Sequence, residues 1–156
     1  MDDDTYTILG CITKYKADDI RPYVESIEQT GFKGRKVMLV YDVPQETIDY
    51  LKSKGWDLFG GELQQHIILQ RFRDLYKLLG SEIKGTVIWT DVKDVIFQKD
   101  PTDWIEHNME DDILSFSECI TFKNDPWACV NAGTSFPMEW EWLQNKTSYC
   151  AGTIVG

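Results

Sequence analysis

Short apolar segments that alternate with amphipathic ones constrain the fold of this chain more than any other feature. Four segments rich in β-branched or aromatic residues cover residues 5–13, 36–41, 56–59 and 86–90, and each is predicted to form a β-strand. Between them, apolar residues recur at helical spacing in residues 17–30, 45–54 and 66–79, which predicts three helices. Strands that alternate with helices in this way indicate βαβ units and a largely parallel sheet.

The second half of the chain has a less regular pattern. We predict a short helix over residues 102–109, a strand over 113–116, a loop over 124–137, a helical turn or two over 138–143 and a strand over 149–155. The length of 156 residues is that of one domain. Because an apolar run reaches the end of the chain with no helix after it, we expect residues 1–156 to form the front portion of a longer domain, without its C-terminal part.

Net charge excludes one class of function. The chain has 26 acidic and 16 basic side chains, a formal net charge of −10. Proteins that bind nucleic acid neutralise phosphates with clustered Lys and Arg, and this chain has the opposite long-range field. A phosphate-bearing ligand would therefore need a local cation, supplied by a few basic side chains or by a metal ion.

The sequence offers no sign of export or of membrane insertion. Asp2, Asp3 and Asp4 give the N-terminus the wrong charge for a signal peptide, and no segment approaches the roughly 20 apolar residues of a membrane-spanning helix. Four cysteines lie far apart, without a CxxC motif, and are expected to be reduced core thiols. These features predict a cytoplasmic protein.

Two carboxylates mark the end of the fourth predicted strand. Asp91 and Asp94 follow residues 86–90 directly, and ligands of open α/β sheets bind beyond the carboxyl ends of the strands. Two close carboxylates disfavour each other's ionisation, which a divalent cation relieves, and oxygen ligands favour Mg²⁺ or Mn²⁺. The alternative is that Asp91 caps the following turn while Asp94 pairs with Lys93 or an arginine.

The segment TVIWTDVKDVIFQKDP, residues 86–101, resembles the metal-binding segment of GT-A-fold nucleotide-sugar glycosyltransferases. In those enzymes an apolar strand leads into a DxD or DxxD motif. DxxD followed by Val-Ile-Phe is similar to the glycosyltransferases that modify collagen hydroxylysine. The element order of the whole chain resembles small glycosyltransferases of large algal viruses, the chloroviruses, which glycosylate their own capsid protein. The resemblance implies a GT-A-like, Rossmann-like α/β fold with a mainly parallel central sheet flanked by helices, and a viral protein of the host cytoplasm.

The resemblance also implies roles for individual residues. Asp91 and Asp94 would hold Mn²⁺ or Mg²⁺ against the donor diphosphate, and Asp94 matches the last Asp of DxD. The residues that would bind the nucleotide sugar are Thr13, Lys14, Tyr15, Arg71, Thr90, Asp91, Val92, Lys93, Ala151 and Gly152. For several of them a plain structural role stays open: a solvated turn for Lys14 and Tyr15, a salt bridge to Asp74 or Glu62 for Arg71, and close packing for Gly152.

The sequence does not identify a catalytic base. Glu118 and Asp125 follow the predicted strand 113–116 and are weak candidates for contact with the acceptor. No GxSxG, GxxxxGK[ST] or GxGxxG motif occurs in the sequence, which argues against an α/β-hydrolase, a P-loop NTPase and a dinucleotide-dependent enzyme.

The function expected from the resemblance is a metal-dependent hexosyltransferase. It would move a hexose from a nucleoside diphosphate sugar, with UDP-sugar favoured, to a hydroxyl of a glycan or glycoprotein. Two alternatives stay open. One is a non-catalytic carbohydrate-binding module, in which Asp91 and Asp94 would be capping residues. The other is a sugar-nucleotide nucleotidyltransferase, although GCITKYK lacks the Gly-rich basic loop expected there.

Overall fold

A computed structural model describes residues 5–156, except for the side chain of Ala151, as one β-sheet flanked by helices. It includes one 3-10 turn, Phe122–Asn124. The strands and helices follow in chain order as β1 (Tyr6–Thr13), α1 (Ala17–Thr30), β2 (Arg35–Tyr41), α2 (Gln45–Ser53), β3 (Asp57–Gly61), α3 (Ile67–Ser81), β4 (Thr86–Thr90), α4 (Thr102–Asn108), β5 (Leu114–Thr121), α5 (Pro126–Ser135), α6 (Trp140–Leu143) and β6 (Thr147–Val155).

Within residues 5–156 the sheet has six strands, in the order β3-β2-β1-β4-β6-β5. The first four strands are parallel, β6 pairs antiparallel with β4, and β5 pairs antiparallel with β6. The predicted α/β fold with a mainly parallel sheet is therefore confirmed. The chain runs outward from β1 to β3 and then returns to β4 on the other side of β1. This reversal opens a crevice between the carboxyl ends of β1 and β4, where such sheets bind ligands.

Alternating side chains of the strands face two separate apolar layers. Along β1, Ile8 and Ile12 pack with α1, whereas Leu9 packs with Leu78 of α3 on the opposite face. All four side chains are buried. This period of two follows from strand geometry, in which successive side chains point to opposite faces. It places α1 and α3 on opposite faces of the sheet.

Helix α1 forms where the spacing predicts it. Its buried face includes Ile20, Tyr23, Val24 and Ile27. Gly31 ends the helix with a φ of 77°, a left-handed conformation that glycine adopts without a steric penalty. The apolar periodicity and the glycine stop together explain why residues 17–30 were predicted correctly.

Two predictions for the second half of the chain are wrong. Residues 124–137, predicted as a loop, contain α5. The carboxylate of Asp125 accepts hydrogen bonds from the backbone N–H groups of Trp127 and Ala128, both at 3.0 Å, and Pro126 is the first helical residue. An N-cap aspartate followed by proline is a strong helix start. The second wrong prediction concerns Cys119, which was expected to be a core thiol but is exposed on β5. All four cysteines are free thiols, as predicted.

Among residues 5–156, no helix is both long enough and apolar enough to cross a membrane.

Candidate functional site

A cavity of about 550 Å³ opens at the carboxyl ends of β1 and β4. It lies in the crevice where the strand order reverses, between α3 and the loop that follows β4. Its lining residues are Cys11, Thr13, Tyr15, Ile67, Arg71, Asp91, Val92, Lys93 and Asp94. Seven of these nine were named as candidates from the sequence, and the structure brings them together around one space.

An ion pair joins the two sides of this cavity. Arg71 of α3 donates from a terminal nitrogen to Oδ1 of Asp91 at 3.0 Å. The guanidinium lies over the rings of Phe72 and Trp89, 5.0 and 5.6 Å from their centroids. Its Nε is buried and has no hydrogen-bond partner within residues 5–156. Arg71 therefore pairs with the first carboxylate of the DxxD segment, and not with Asp74 or Glu62.

Gly152 makes room for the same carboxylate. The backbone N–H of Asp91 donates to the carbonyl oxygen of Gly152 at 2.7 Å. A Cβ at position 152 would lie 2.6 Å from Oδ2 of Asp91, closer than real Cβ contacts. Gly152 thus lies directly against Asp91, and the absence of a side chain at position 152 leaves space for the Asp91 carboxylate. Ala151 precedes it in β6, but its side chain lies outside the described part of the chain.

The loop after β1 supplies an aromatic ring to the cavity. Lys93 Nζ lies 5.6 Å from the centroid of the Tyr15 ring. The backbone carbonyl of Tyr15 accepts a hydrogen bond at 3.0 Å from Thr47, whose side chain is buried.

Lys14 has a φ of 57°, and its N–H donates to the carbonyl of Tyr41 at 3.2 Å. Lys14 does not line the cavity, whereas Thr13 does, with a buried hydroxyl that lacks a partner in residues 5–156.

Asp94 is the second carboxylate of the cavity. It is exposed, and within the described residues it forms no hydrogen bond or ion pair. Residues 5–156 contain no group of three or more His, Cys, Asp or Glu side chains that could hold a metal ion. Mg²⁺ bound with substrate phosphates needs only one or two protein carboxylates. Asp91 and Asp94 fit that kind of site, in which a ligand supplies the remaining oxygens.

Two candidates from the sequence lie at the base of the DxxD segment. The hydroxyl of Thr90 is 2.7 Å from that of Tyr23, and Thr90 is buried below the cavity. Val92 forms part of the cavity wall but is also only 3% exposed, because it packs against Gly10. Both residues support the neighbouring carboxylates from beneath.

The two weak catalytic candidates lie outside the cavity. Glu118 is exposed on β5. Asp125 caps α5 with one carboxylate oxygen and accepts a hydrogen bond from the Ser148 hydroxyl at 3.2 Å with the other. The structure thus gives Asp125 a capping role.

Two lining residues were missed from the sequence. Cys11 precedes Thr13 by two positions on β1, so the strand period places both side chains on one face. Ile67 lies one helical turn before Arg71. Burial raises the pKa of the Cys11 thiol to about 12, the nearby Asp91 and Asp74 carboxylates add to the rise, and Arg71 opposes it. Cys11 therefore contributes a neutral wall.

Comparison with known proteins identifies the fold. No protein-family model and no curated protein sequence matches this chain. A mannosyltransferase, PcManGT from Pyrobaculum calidifontis, in complex with GDP-Man and Mn²⁺, matches with a TM-score of 0.52 at 14% identity, over 78% of this chain and 36% of its own. The glycosyltransferase GlyE of Streptococcus pneumoniae TIGR4 matches with a TM-score of 0.55 at 19% identity, over 96% of this chain and 33% of its own.

These similarities establish a GT-A-like fold, which this chain shares with solved glycosyltransferases. The chain spans about a third of the length of the two structures. At such low identity the similarity concerns the fold alone, and the chemistry must be argued from the cavity.

Proposed function

We propose that this chain binds a nucleoside diphosphate sugar through a divalent cation and acts as a glycosyltransferase that moves a hexose to a hydroxyl of a glycan or glycoprotein. The observation that carries the proposal is the meeting of Asp91, Asp94 and Arg71 in one cavity at the crevice between β1 and β4. The shared fold with PcManGT and GlyE supports it.

The charges of the cavity explain why a cation is needed. The chain has a net charge of −10, so its long-range field repels a free diphosphate, and in the cavity Arg71 and Lys93 only balance the charges of Asp91 and Asp94. Asp91 and Asp94 would hold Mn²⁺ or Mg²⁺, which supplies neutralisation of the charge that builds on the departing diphosphate. The planar donor fork of Arg71 suits phosphate oxygens or sugar hydroxyls.

The remaining wall of the cavity suits the nucleoside. Thr13, Tyr15 and Lys93 border one side and offer a hydroxyl, an aromatic ring and an ammonium group. The sequence resemblance favours a UDP-sugar, whereas PcManGT is in complex with GDP-Man. The test therefore includes both UDP-linked and GDP-linked sugars. Glu118 and Asp125 lie outside the cavity, and we assign no residue to deprotonation of the acceptor.

The proposed reaction is tested by donor turnover. UDP- and GDP-linked hexoses are incubated with the chain and Mn²⁺, and released nucleoside diphosphate is measured. We expect release from one donor class, loss of release with EDTA, and a decrease of at least about 100-fold in Asp94→Ala, because the cation contributes several kcal/mol. Asp111→Ala is the matched control, because the Asp111 carboxylate is also exposed but lines a different cavity. Turnover that is insensitive to EDTA and to Asp94→Ala would contradict the proposal.

A further inference from the structure

Residues 91–97, which we term the carboxylate loop, have neither helical nor strand structure, yet are fixed at both ends by buried side chains of α1. The loop connects β4 to the segment before α4 and includes Asp91 and Asp94. A loop of this kind has few backbone hydrogen bonds of its own, so its shape depends on contacts with neighbouring elements.

The first anchor lies directly before Asp91. The hydroxyl groups of Tyr23 and Thr90 are 2.7 Å apart. Tyr23 is fully buried and Thr90 is 2% exposed. A buried hydroxyl without a partner is costly, so each of these two groups depends on the other. This hydrogen bond connects α1 to the last residue of β4.

The second anchor holds the other end of the loop. The backbone N–H of Phe97 donates to Oγ of Ser26 at 3.0 Å, and the Ser26 hydroxyl donates to the carbonyl of Tyr23 at 2.8 Å. The rings of Phe97 and Tyr23 also meet edge to face, with centroids 5.8 Å apart. One turn of α1 therefore contacts both ends of the carboxylate loop.

Between these ends, Val92 and Val95 pack against the core, and the N–H of Asp91 is held by the carbonyl of Gly152. Val92 lies over Gly10 of β1, where an added Cβ would be 2.7 Å from Cγ2 of Val92. The next two side chains, Lys93 and Asp94, are exposed. The Asp94 side chain has no partner within the described residues, so the loop backbone sets the position of its Cβ and thereby the space its carboxylate can reach relative to Asp91.

We propose that Tyr23 and Ser26 are positioning residues, which set the spacing of Asp91 and Asp94 for cation binding through the backbone of the carboxylate loop. This inference rests on the proposed metal-dependent function. It goes beyond that function because neither residue lines the cavity. It also makes cation affinity depend on α1, which lies on the opposite face of the sheet from Arg71.

The test is a titration of Mn²⁺, in the presence of UDP and of GDP, followed by the electron paramagnetic resonance signal of free Mn²⁺. The proteins are the wild type, Tyr23→Phe, Ser26→Ala, Ser26→Thr and Asp94→Ala. Residues that orient metal ligands typically change affinity by about 10- to 100-fold, and we expect a weakening in that range for Tyr23→Phe and Ser26→Ala. Ser26→Thr retains the hydroxyl and should recover most of the affinity.

Thr30→Val is the matched control for a general loss of stability. The Thr30 hydroxyl donates to the carbonyl of Ile27 at 2.7 Å, as Ser26 does to Tyr23, but the N–H that it accepts from belongs to Phe32 and not to the carboxylate loop. We expect thermal melting to show similar destabilisation for Thr30→Val and Ser26→Ala, with wild-type Mn²⁺ affinity only in Thr30→Val. Equal loss of affinity in both would overturn the positioning role.

Two further results separate the inference from the function on which it rests. If the wild type does not bind Mn²⁺ in the presence of UDP or of GDP, the proposed function is wrong and the inference falls with it. If Asp94→Ala loses Mn²⁺ affinity but Tyr23→Phe and Ser26→Ala bind as the wild type does, the function stands and the positioning role is overturned.

Discussion

The Arg71 guanidinium lies 3.0 Å from Oδ1 of Asp91 and thereby joins α3 to the end of β4. The pair crosses the crevice in which the strand order reverses. It neutralises one of the two carboxylates that line the cavity, while Asp94 has no partner within the described residues. A cation that binds both carboxylates therefore competes with Arg71 for Asp91, which leaves the guanidinium available to an anionic ligand.

Replacement of Arg71 by lysine is expected to weaken nucleoside diphosphate binding. Lysine retains the charge but loses the planar group that lies over Phe72 and Trp89. We expect Arg71→Lys to raise the Kd for the nucleoside diphosphate with Mn²⁺ by about 10-fold, which corresponds to the loss of one charge-assisted hydrogen bond. Isothermal calorimetry measures this change.

Arg73→Lys provides the control for Arg71→Lys. Arg73 is exposed on the same helix, two positions away, and does not line this cavity. Its replacement should leave the Kd unchanged. Equal effects of the two substitutions would show that helix charge, and not the Arg71 geometry, governs binding.

Replacement of Gly152 by alanine is expected to displace the Asp91 carboxylate. The new Cβ would lie 2.6 Å from Oδ2 of Asp91, so that side chain must move. We expect Mn²⁺ affinity to fall by about 10-fold or more, as for other changes that reorient a metal ligand. Gly133→Ala is the control, because its Cβ would meet only ordinary contacts at 3.6 Å or beyond. Wild-type affinity in Gly152→Ala would contradict a role for Asp91 in cation binding.

Removal of the Tyr41 hydroxyl is expected to reduce stability at neutral pH more than in acid. This hydroxyl donates to Asp74 Oδ2 at 2.8 Å. Burial raises the pKa of Asp74, but hydrogen bonds from Tyr41, Lys77 and Gln70 outweigh it and hold the pKa below its ordinary value of 3.8. A lowered carboxyl pKa stabilises the fold above pH 3.8, and this stabilisation is lost as the pH falls through the folded-state value.

Tyr41→Phe should therefore lower the free energy of unfolding by about 1–3 kcal/mol at pH 7, the range for a hydrogen bond to a charged group. The difference from the wild type should shrink below pH 3.8. Urea unfolding at pH 7 and below pH 3.8 measures this difference in free energy. Tyr76→Phe is the control, because the Tyr76 side chain is exposed. A difference that does not change with pH would mean that Tyr41 does not stabilise the ionised carboxylate.

Local patterns predicted most of the first half of the fold. The predicted bounds of residues 17–30 and 86–90 are those of α1 and β4. Helical apolar spacing and the glycine stop at Gly31 define the first, and a short apolar run that ends at Asp91 defines the second. Helix α5 was missed because its apolar residues are not confined to one face: Trp127 and Val130 are exposed. Only the Asp125-Pro126 start indicated a helix.

The site was predictable as far as strand ends could indicate it. The rule for open sheets located Thr13 and Asp91 at one edge, and both line the cavity. Contacts between distant residues were not predictable, because one sequence does not reveal that Ser26 meets Phe97 across 71 positions. The resemblance to algal-virus enzymes, the UDP donor and the cytoplasmic location stay predictions of the sequence.

A calorimetric titration of UDP and GDP into the chain, with Mn²⁺ and with EDTA, tests the cation-dependent donor site most directly. We predict binding of one nucleotide with Mn²⁺, no measurable binding in EDTA, and loss of the Mn²⁺-dependent heat in Asp94→Ala but not in Asp111→Ala. Absence of metal-dependent binding of either nucleotide, or binding unchanged in Asp94→Ala, would show that Asp91 and Asp94 do not form such a site.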